Sequence, residues 1–495
     1  MKSLFGKYKY LLLTFVISFA IFFRSLFVFF TNDDFFFLKI SKVTNLSGFI
    51  NFFNIVHGPE GFGMYRPLTT QVFYFLSNKF FNLSPIPLHI ISFLFFFGII
   101  YLVYKLIFEL SKSNNIALIS AFLYAVAASH FGQLYYLAAF QELGMAFFVL
   151  LSCLMFIKNK NFLSFIFFVL ALLSKETAVV TPVLITAIYL FQGFQKTKVT
   201  NFKKFIVFLS PFIVCLFAYF LIRLFSYGFT SGDTYIWDFS IRKLINTLFW
   251  YLLWALNIPE SLIDFIGPGL NVNPNLFTYW GSQIIPILVS FLVQGVLLVV
   301  VLVKALLEKN KKEIKERDWV STFCIFWFLI GILPVAFLPQ HKFSFYLTLP
   351  LIGLTFRIAF LLVTSKINKI FIWLFLLIWT LTSVLTLKFT VQTNWISQSE
   401  KVAEMAHIYF DEGQINLSGK NKQNLVGKNI YLVDTPIDST LPWSPTSTLK
   451  TILSNKNFFE VFYPNLTAKI NYSGLEKVPT QKDAVVINSN QILGY

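Results

Sequence analysis

The sequence predicts an all-α polytopic membrane protein of about 11 transmembrane helices, with a small α/β domain at its C-terminal end. Three observations carry that expectation. The 495 residues are 56% hydrophobic with a mean hydropathy of +0.69, far more apolar surface than one soluble core can bury, so lipid must be the main solvent. Apolar runs long enough to cross a bilayer recur from the N-terminus to about residue 392. Lys and Arg fall mostly between those runs, and beyond them the hydropathy drops.

The expected spans centre on Val16, Phe96, Phe122, Leu150, Phe167, Leu184, Cys215, Val293, Phe328, Phe360 and Leu376. Lys2, Lys7 and Lys9 precede the first run, which continues to Phe30 without a small-residue cleavage site, so it reads as an uncleaved span. With the N-terminus inside, alternate connections carry Lys105 and Lys112, Lys158 and Lys160, Lys196 to Lys204, Lys304 to Arg317, and Lys366 with Lys369. Cytoplasmic loops are enriched in basic residues in this way. The formal charge of +17 is therefore explained by topology and calls for no nucleic-acid partner. Cys153, Cys215 and Cys324 each lie in an apolar run, without a partner at metal-ligand spacing, and read as packing residues.

This topology divides the chain into a membrane domain, 1–392, with a first external loop at 31–67, and a soluble extracytoplasmic domain, 393–495. Within the latter, Ile430 to Val433 and Ala484 to Ile487 read as buried strands. The stretch from Ser226 to Ser282, rich in Gly, Pro and aromatics, reads as an external loop with interfacial helices.

The external face collects the residues able to do chemistry. Asp33 and Asp34 follow the first span directly, and carboxylates at the edge of hydrocarbon are costly without a task or a partner. The plain alternative is a solvated helix start, a place Asp favours. Arg66, in Tyr65-Arg66-Pro67-Leu68, can hold a phosphate through paired hydrogen bonds or simply snorkel to the surface. His130 sits at a short turn before Gln141 and Glu142, the latter an intramembrane acid. Lys175 and Glu176 break two apolar runs and read as a substrate-facing pair or a mutually neutralising one. His341 and Lys342 add cationic groups at the outer end of a late span. All of these residues fall on one predicted face, as a cavity for a lipid-linked phosphate and a polar acceptor requires.

Asp33-Asp34, Tyr65-Arg66-Pro67-Leu68 and Leu173-Ser174-Lys175-Glu176-Thr177 with Pro182, in this order, resemble the GT-C membrane glycosyltransferases. Within them the chain is most similar to the protein O-mannosyltransferase and aminoarabinose-transferase branch. Leu88-His89 and the segment from Tyr124 through His130 to Glu142 fit the same pattern, and the resemblance spans Phe27 to Gly353. The late loop has His341-Lys342 where tetratricopeptide-bearing relatives have an acid followed by Arg, and no tetratricopeptide array follows. The resemblance implies an inverting glycosyltransferase with a polyprenyl-phosphate sugar donor, an extracytoplasmic acceptor left open, and no metal or cofactor. It also implies a carboxylate of the pair Asp33 and Asp34 as general base. The departing phosphate gains charge as its bond breaks, and on that chemical ground Arg66 and Lys342 are the expected phosphate contacts. A transporter or flippase of a charged lipid or small solute, and an envelope oligosaccharide ligase or polymerase, are the alternative readings.

Overall fold

The computed structural model describes residues 2–56, 63–195, 201–228, 234–307, 311–412, 417, 429–436, 438, 441, 443–466, 468–473 and 484–493. Lys196, Lys198 and Lys309, expected in the cytoplasmic loops, lie outside the described residues.

Among the described residues, eight helices are long and apolar enough to cross a membrane: Lys9–Phe27, Ile86–Ser111, Leu137–Ile157, Glu176–Phe194, Phe202–Tyr227, Asn275–Leu306, Glu313–Val335 and Lys369–Thr393. The chain is a helical, multi-spanning membrane protein. Their ends follow from local chemistry. Proline, which lacks an N–H to leave unpaired, opens the helices Ile86–Ser111, Thr181–Phe194 and Pro350–Thr364 within their first two positions. Ser113 and Asn201 cap helices by accepting from the backbone N–H three residues on.

The expected count of about 11 full spans is not met by length alone. Three of the expected centres, Phe122, Phe167 and Phe360, fall elsewhere. Phe122 lies in the helix pair Asn114–Ala125 and Ala128–Tyr135, which is bent by 53°. Phe167 and Phe360 lie on Asn161–Leu172 and Pro350–Thr364, of 12 and 15 residues. At a rise of roughly 1.5 Å per residue these fall short of a hydrocarbon core about 30 Å thick. Hydropathy runs unbroken through the bend, because Val126 and Ala127 leave helical geometry while remaining apolar.

Breaking a helix among apolar neighbours frees backbone groups that no water reaches, and here side chains take them up. The Ala128 N–H donates to Asn257 Oδ1 at 2.9 Å, the Ser383 hydroxyl donates to the Val126 carbonyl, and Trp379 Nε1 donates to the Leu123 carbonyl at 3.1 Å. The bend is thereby tied to the last long helix and to the loop before residue 260.

At the C-terminal end, three parallel strands pair in the spatial order Lys469–Ser473, Asn429–Val433, Ala484–Asn488. Ile430 and Leu432, on one face of the central strand, are fully buried, and on its other face Val433 is buried while Tyr431 is half-buried; on the edge strand Ile487 is buried but Val486 is 49% exposed, so the first of the two expected strands is the more completely buried. The strand Lys469–Ser473 escaped the sequence reading, since Lys, Asn and Tyr dilute its apolar pattern. This unit packs against the helix Asp33–Ile40: Asn32 N–H donates to the Ile452 carbonyl at 2.9 Å, Lys39 pairs with Glu460 at 2.5 Å, and the Phe35 ring meets Phe458 edge-on at 5.2 Å. Between 234 and 275, the helix Ile241–Ala255 buries Trp250, Tyr251 and Trp254 on one side and is followed by a small two-stranded hairpin.

Close helix packing supplies a test. A Cβ at Gly353 would lie 2.5 Å from the Cys324 backbone carbonyl, which cannot swing aside, whereas one at Gly295 would meet nothing. Thermal unfolding in detergent is expected to show Gly353→Ala destabilised by about 1–3 kcal/mol, as overpacking does. Gly295→Ala should be neutral or stabilised by up to roughly 1 kcal/mol, through helix propensity.

Candidate functional site

The first membrane helix ends in a tight turn to Phe27 and an extended stretch to Thr31. Asn32 then takes a positive φ of 49°, a conformation Asn tolerates better than most residues, and reverses the chain into the helix beginning at Asp33. Adjacent residues on a helix start point about 100° apart, and the two acids accordingly divide. The fully buried Asp34 carboxylate accepts the Thr31 N–H at 2.9 Å and the Tyr74 hydroxyl. Burial pushes its pKa up to about 7 against those donors. Asp33 faces outward and is exposed. The Tyr136 hydroxyl bonds its carboxyl and also receives its backbone N–H at 3.4 Å. Crowding by the surrounding protein nonetheless raises its pKa, with Tyr136 and the positive field of Arg66 working against the rise.

Beside the acids, two ion pairs hold three distant segments together. Arg66 Nε donates to Glu176 Oε2 at 2.7 Å, Nη2 pairs with Glu176 Oε1, and Nη1 bonds Gln141 Oε1. Lys175 Nζ pairs with Glu142 Oε1 at 2.6 Å, and its ammonium lies 4.7 Å from the Tyr346 ring centroid. The neighbours Lys175 and Glu176 thus do not neutralise each other. Lys175 is extended (φ −162°, ψ 143°), which sends successive side chains to opposite sides. Two bonds to backbone carbonyls reinforce the junction: Leu68 N–H donates to the Leu173 carbonyl at 3.2 Å and the Thr69 hydroxyl to the Ser174 carbonyl at 2.5 Å. Gly144 permits this approach, since a Cβ there would come within 2.4 Å of Thr69 Cγ2.

Further residues complete the cluster. Arg223, from the end of the helix Phe202–Tyr227, approaches Glu176 at 3.8 Å, so one carboxylate lies between two guanidinium groups and a unit of positive charge is left over. The Tyr235 hydroxyl bonds Arg66 and lies within the fields of Glu176 and Asp33. His341 bridges Thr234 (Nδ1, 2.7 Å) and the Tyr346 hydroxyl (Nε2, 2.8 Å), with its ring 4.0 Å from that of Tyr235. Burial, then the charges of Lys175 and Arg66, lower its pKa to about 3, so His341 is neutral and not the cation expected from sequence.

Asp33, Arg66, Glu142, Lys175, Glu176 and His341 are therefore brought together. His130 and Lys342 are not. His130 is fully buried against Phe22, Phe96 and Tyr124, with Nε2 on the Tyr124 carbonyl at 2.8 Å. Lys342 turns away to Asn246 Oδ1 at 3.1 Å. Tyr136, Tyr235, Tyr346 and Arg223 escaped the sequence reading. Only Arg223 carried a signal, as a cation at the end of an apolar run.

No family model matches the chain, and neither a curated protein nor a solved structure is detectably similar to it. The chemistry must be read from the site itself. It offers one open carboxylate able to take a proton, next to hydroxyl donors and a residual positive charge fixed before any ligand arrives.

The buried pair Lys175–Glu142 is 6% and 2% exposed at its side chains. Lys175→Met and Glu142→Gln should each cost roughly 3–5 kcal/mol in unfolding free energy, because each strands a buried charge. The double variant should lose clearly less than the sum. Additive losses would show that the two side chains do not depend on each other.

Proposed function

We propose that the chain is an inverting glycosyltransferase of the GT-C kind, moving a sugar from a polyprenyl-phosphate donor to an acceptor hydroxyl outside the cytoplasm. The observation that carries this reading is the division of the acidic pair: Asp33 is open and bonded by Tyr136, within the field of Arg66, while Asp34 is closed. Asp33 would remove the acceptor proton as that oxygen attacks the anomeric carbon. The bond from that carbon to the phosphate oxygen breaks, its electrons pass to the phosphate, and the charge gained there is greatest near the transition state.

The residual charge of Arg66, Glu176 and Arg223 is the stabilising group for that phosphate. Lys342 has no part in it, and His341 positions Tyr346. In this arrangement the bent helix pair and the two short helices serve as further crossings, for about 11 in all. The Lys175–Glu142 contact supports this for Asn161–Leu172, since the chain returns after it to the level where the preceding long helix begins. The C-terminal unit, 393–495, would lie outside, over the helix Asp33–Ile40.

Asp33→Asn keeps shape and hydrogen bonding but removes proton acceptance. Transfer from radiolabelled polyprenyl-phosphate sugar in proteoliposomes should fall by roughly a hundredfold or more, with donor binding retained. Because burial raises the Asp33 pKa, wild-type transfer should decline as pH falls through that raised value, where the base becomes protonated, and the residual activity of Asp33→Asn should lack this limb. Near-normal transfer by Asp33→Asn would remove the base from the mechanism and favour a transporter.

Orientation has its own test. In a background without the three native cysteines, Ser444→Cys should label with an impermeant maleimide in intact cells, and Lys160→Cys only after permeabilisation; both positions are exposed. The reverse pattern would place the site in the cytoplasm.

A further inference from the structure

A cavity of about 400 Å³ opens at the same end of the helices as Asp33. It lies between the loop around Glu260, the loop 339–343 and the outer end of the last long helix. That volume falls in the range of roughly 300–1,000 Å³ usual for small-molecule sites. Its lining residues are chemically mixed: the acids Glu260 and Asp264, the amides Gln340 and Asn394, Lys342, whose ammonium also reaches Asn246 Oδ1, and Trp395.

Three features separate this wall from ordinary surface. Trp395 is 38% exposed although it sits among packed aromatics, with its ring 5.5 Å from that of Tyr136 in an edge-on contact. Tyr136 is the residue that bonds Asp33, so Trp395 in the cavity wall and Tyr136 behind it connect the cavity to the open carboxylate. Glu260 is held in place by the Ser344 N–H at 2.7 Å on Oε2, while Oε1 has only a long 3.5 Å contact to Asn394. One of its oxygens therefore retains acceptor capacity. Asp264, four residues on and exposed, has no ion-pair partner among the described residues.

The lining selects among ligand classes. A lipid tail would meet too many polar groups. A phosphate would face two carboxylates against one ammonium. A polyhydroxylated ring suits the wall at every point, since each hydroxyl can donate to a carboxylate or amide oxygen and accept from an amide or ammonium N–H. The apolar C–H face of such a ring can lie on the indole, whose body is apolar and whose edge is polar. Burial also raises the pKa of both Glu260 and Asp264, which favours neutral hydroxyl partners over a second anion.

We propose that this cavity binds a saccharide, and that the ring it holds belongs to the acceptor, presented across Tyr136 to Asp33. The acceptor assignment rests on the transferase reading above. Saccharide binding itself does not.

The experiment uses the full-length protein in lipid nanodiscs, free of sugar-based detergent. Mannose, galactose, N-acetylglucosamine and their disaccharides are screened by saturation-transfer-difference NMR against wild type, Trp395→Ala, Asp264→Asn, Gln340→Ala and Asp33→Asn. Binding of polyprenyl-phosphate mannose is measured on the same samples. At least one saccharide should bind wild type and Asp33→Asn alike, and bind tenfold or more weakly to Trp395→Ala and Asp264→Asn, with Gln340→Ala also weakened. Binding of the lipid-linked donor should be unchanged in these three cavity variants. The proposal is overturned if no saccharide in the panel binds, if the cavity variants bind it as wild type does, or if they lose the lipid-linked donor instead. Failure of the transferase reading has a separate signature: wild type would transfer no sugar from any polyprenyl-phosphate donor while saccharide binding still depended on Trp395 and Asp264.

Discussion

Everything at the candidate site depends on one constraint, which is that a charge taken out of water must be met by another charge or by a full set of hydrogen bonds. Isolated buried ions cost several kcal/mol each even after relaxation. Here the cost is offset in pairs. Arg66 with Glu176 and Lys175 with Glu142 join side chains 110 and 33 positions apart in the sequence, and so fix the segment after residue 65, the start of one long membrane helix and the turn before the next. The ions thus act as a clasp on the helix bundle, and the bonds from the Leu68 N–H and the Thr69 hydroxyl to the carbonyls of residues 173 and 174 close beside it.

The acidic pair obeys the same constraint in the opposite sense. Asp34 is removed from water and is satisfied by Thr31 and Tyr74, which anchors the chain as it leaves the first helix. The C-terminal unit grips that turn from the other side, through Ile452 and Glu460. With its neighbour locked and the backbone fixed on both sides, Asp33 has little freedom of direction. It is left facing outward, bonded by Tyr136 and within the field of Arg66, with Tyr235 close by.

Much of this was legible in the sequence at the level of segments, and much less at the level of partners. Arg66, Glu142, Lys175 and Glu176 stood out because each interrupts an apolar run. What hydropathy cannot show is which ion meets which: adjacency suggested Lys175 with Glu176, whereas the extended backbone at 175 sends them to different partners. The bend at Val126–Ala127 was hidden for a related reason, because its compensation comes from Asn257 and Ser383, more than 120 positions away. His130 and His89 illustrate the same limit. Both are polar in type yet wholly buried, His89 between the carbonyls of Val28 and Leu134, and nothing local distinguishes such a brace from a residue that meets substrate.

The tyrosines explain how the cluster can be both tightly satisfied and chemically available. Tyr136 and Tyr235 turn their hydroxyls to Asp33 and Arg66, while Tyr346 turns its ring to the Lys175 ammonium and its hydroxyl to His341, an arrangement suited to a boundary between hydrocarbon and polar groups. His341 belongs with them rather than with the cations. Held neutral by burial and by Lys175 and Arg66, it links Thr234 to Tyr346 as a hydrogen-bonding bridge. A charged side chain at 341 would add to the positive charge already left over around Glu176 and would repel Lys175, whose own charge is matched by Glu142. Neutrality at 341 therefore leaves the surplus positive charge with Arg66, Arg223 and Glu176, in the field of the open Asp33 carboxylate. Donors and dipoles fixed in this way need no rearrangement when charge develops on a ligand, which is the condition under which electrostatic stabilisation is most effective.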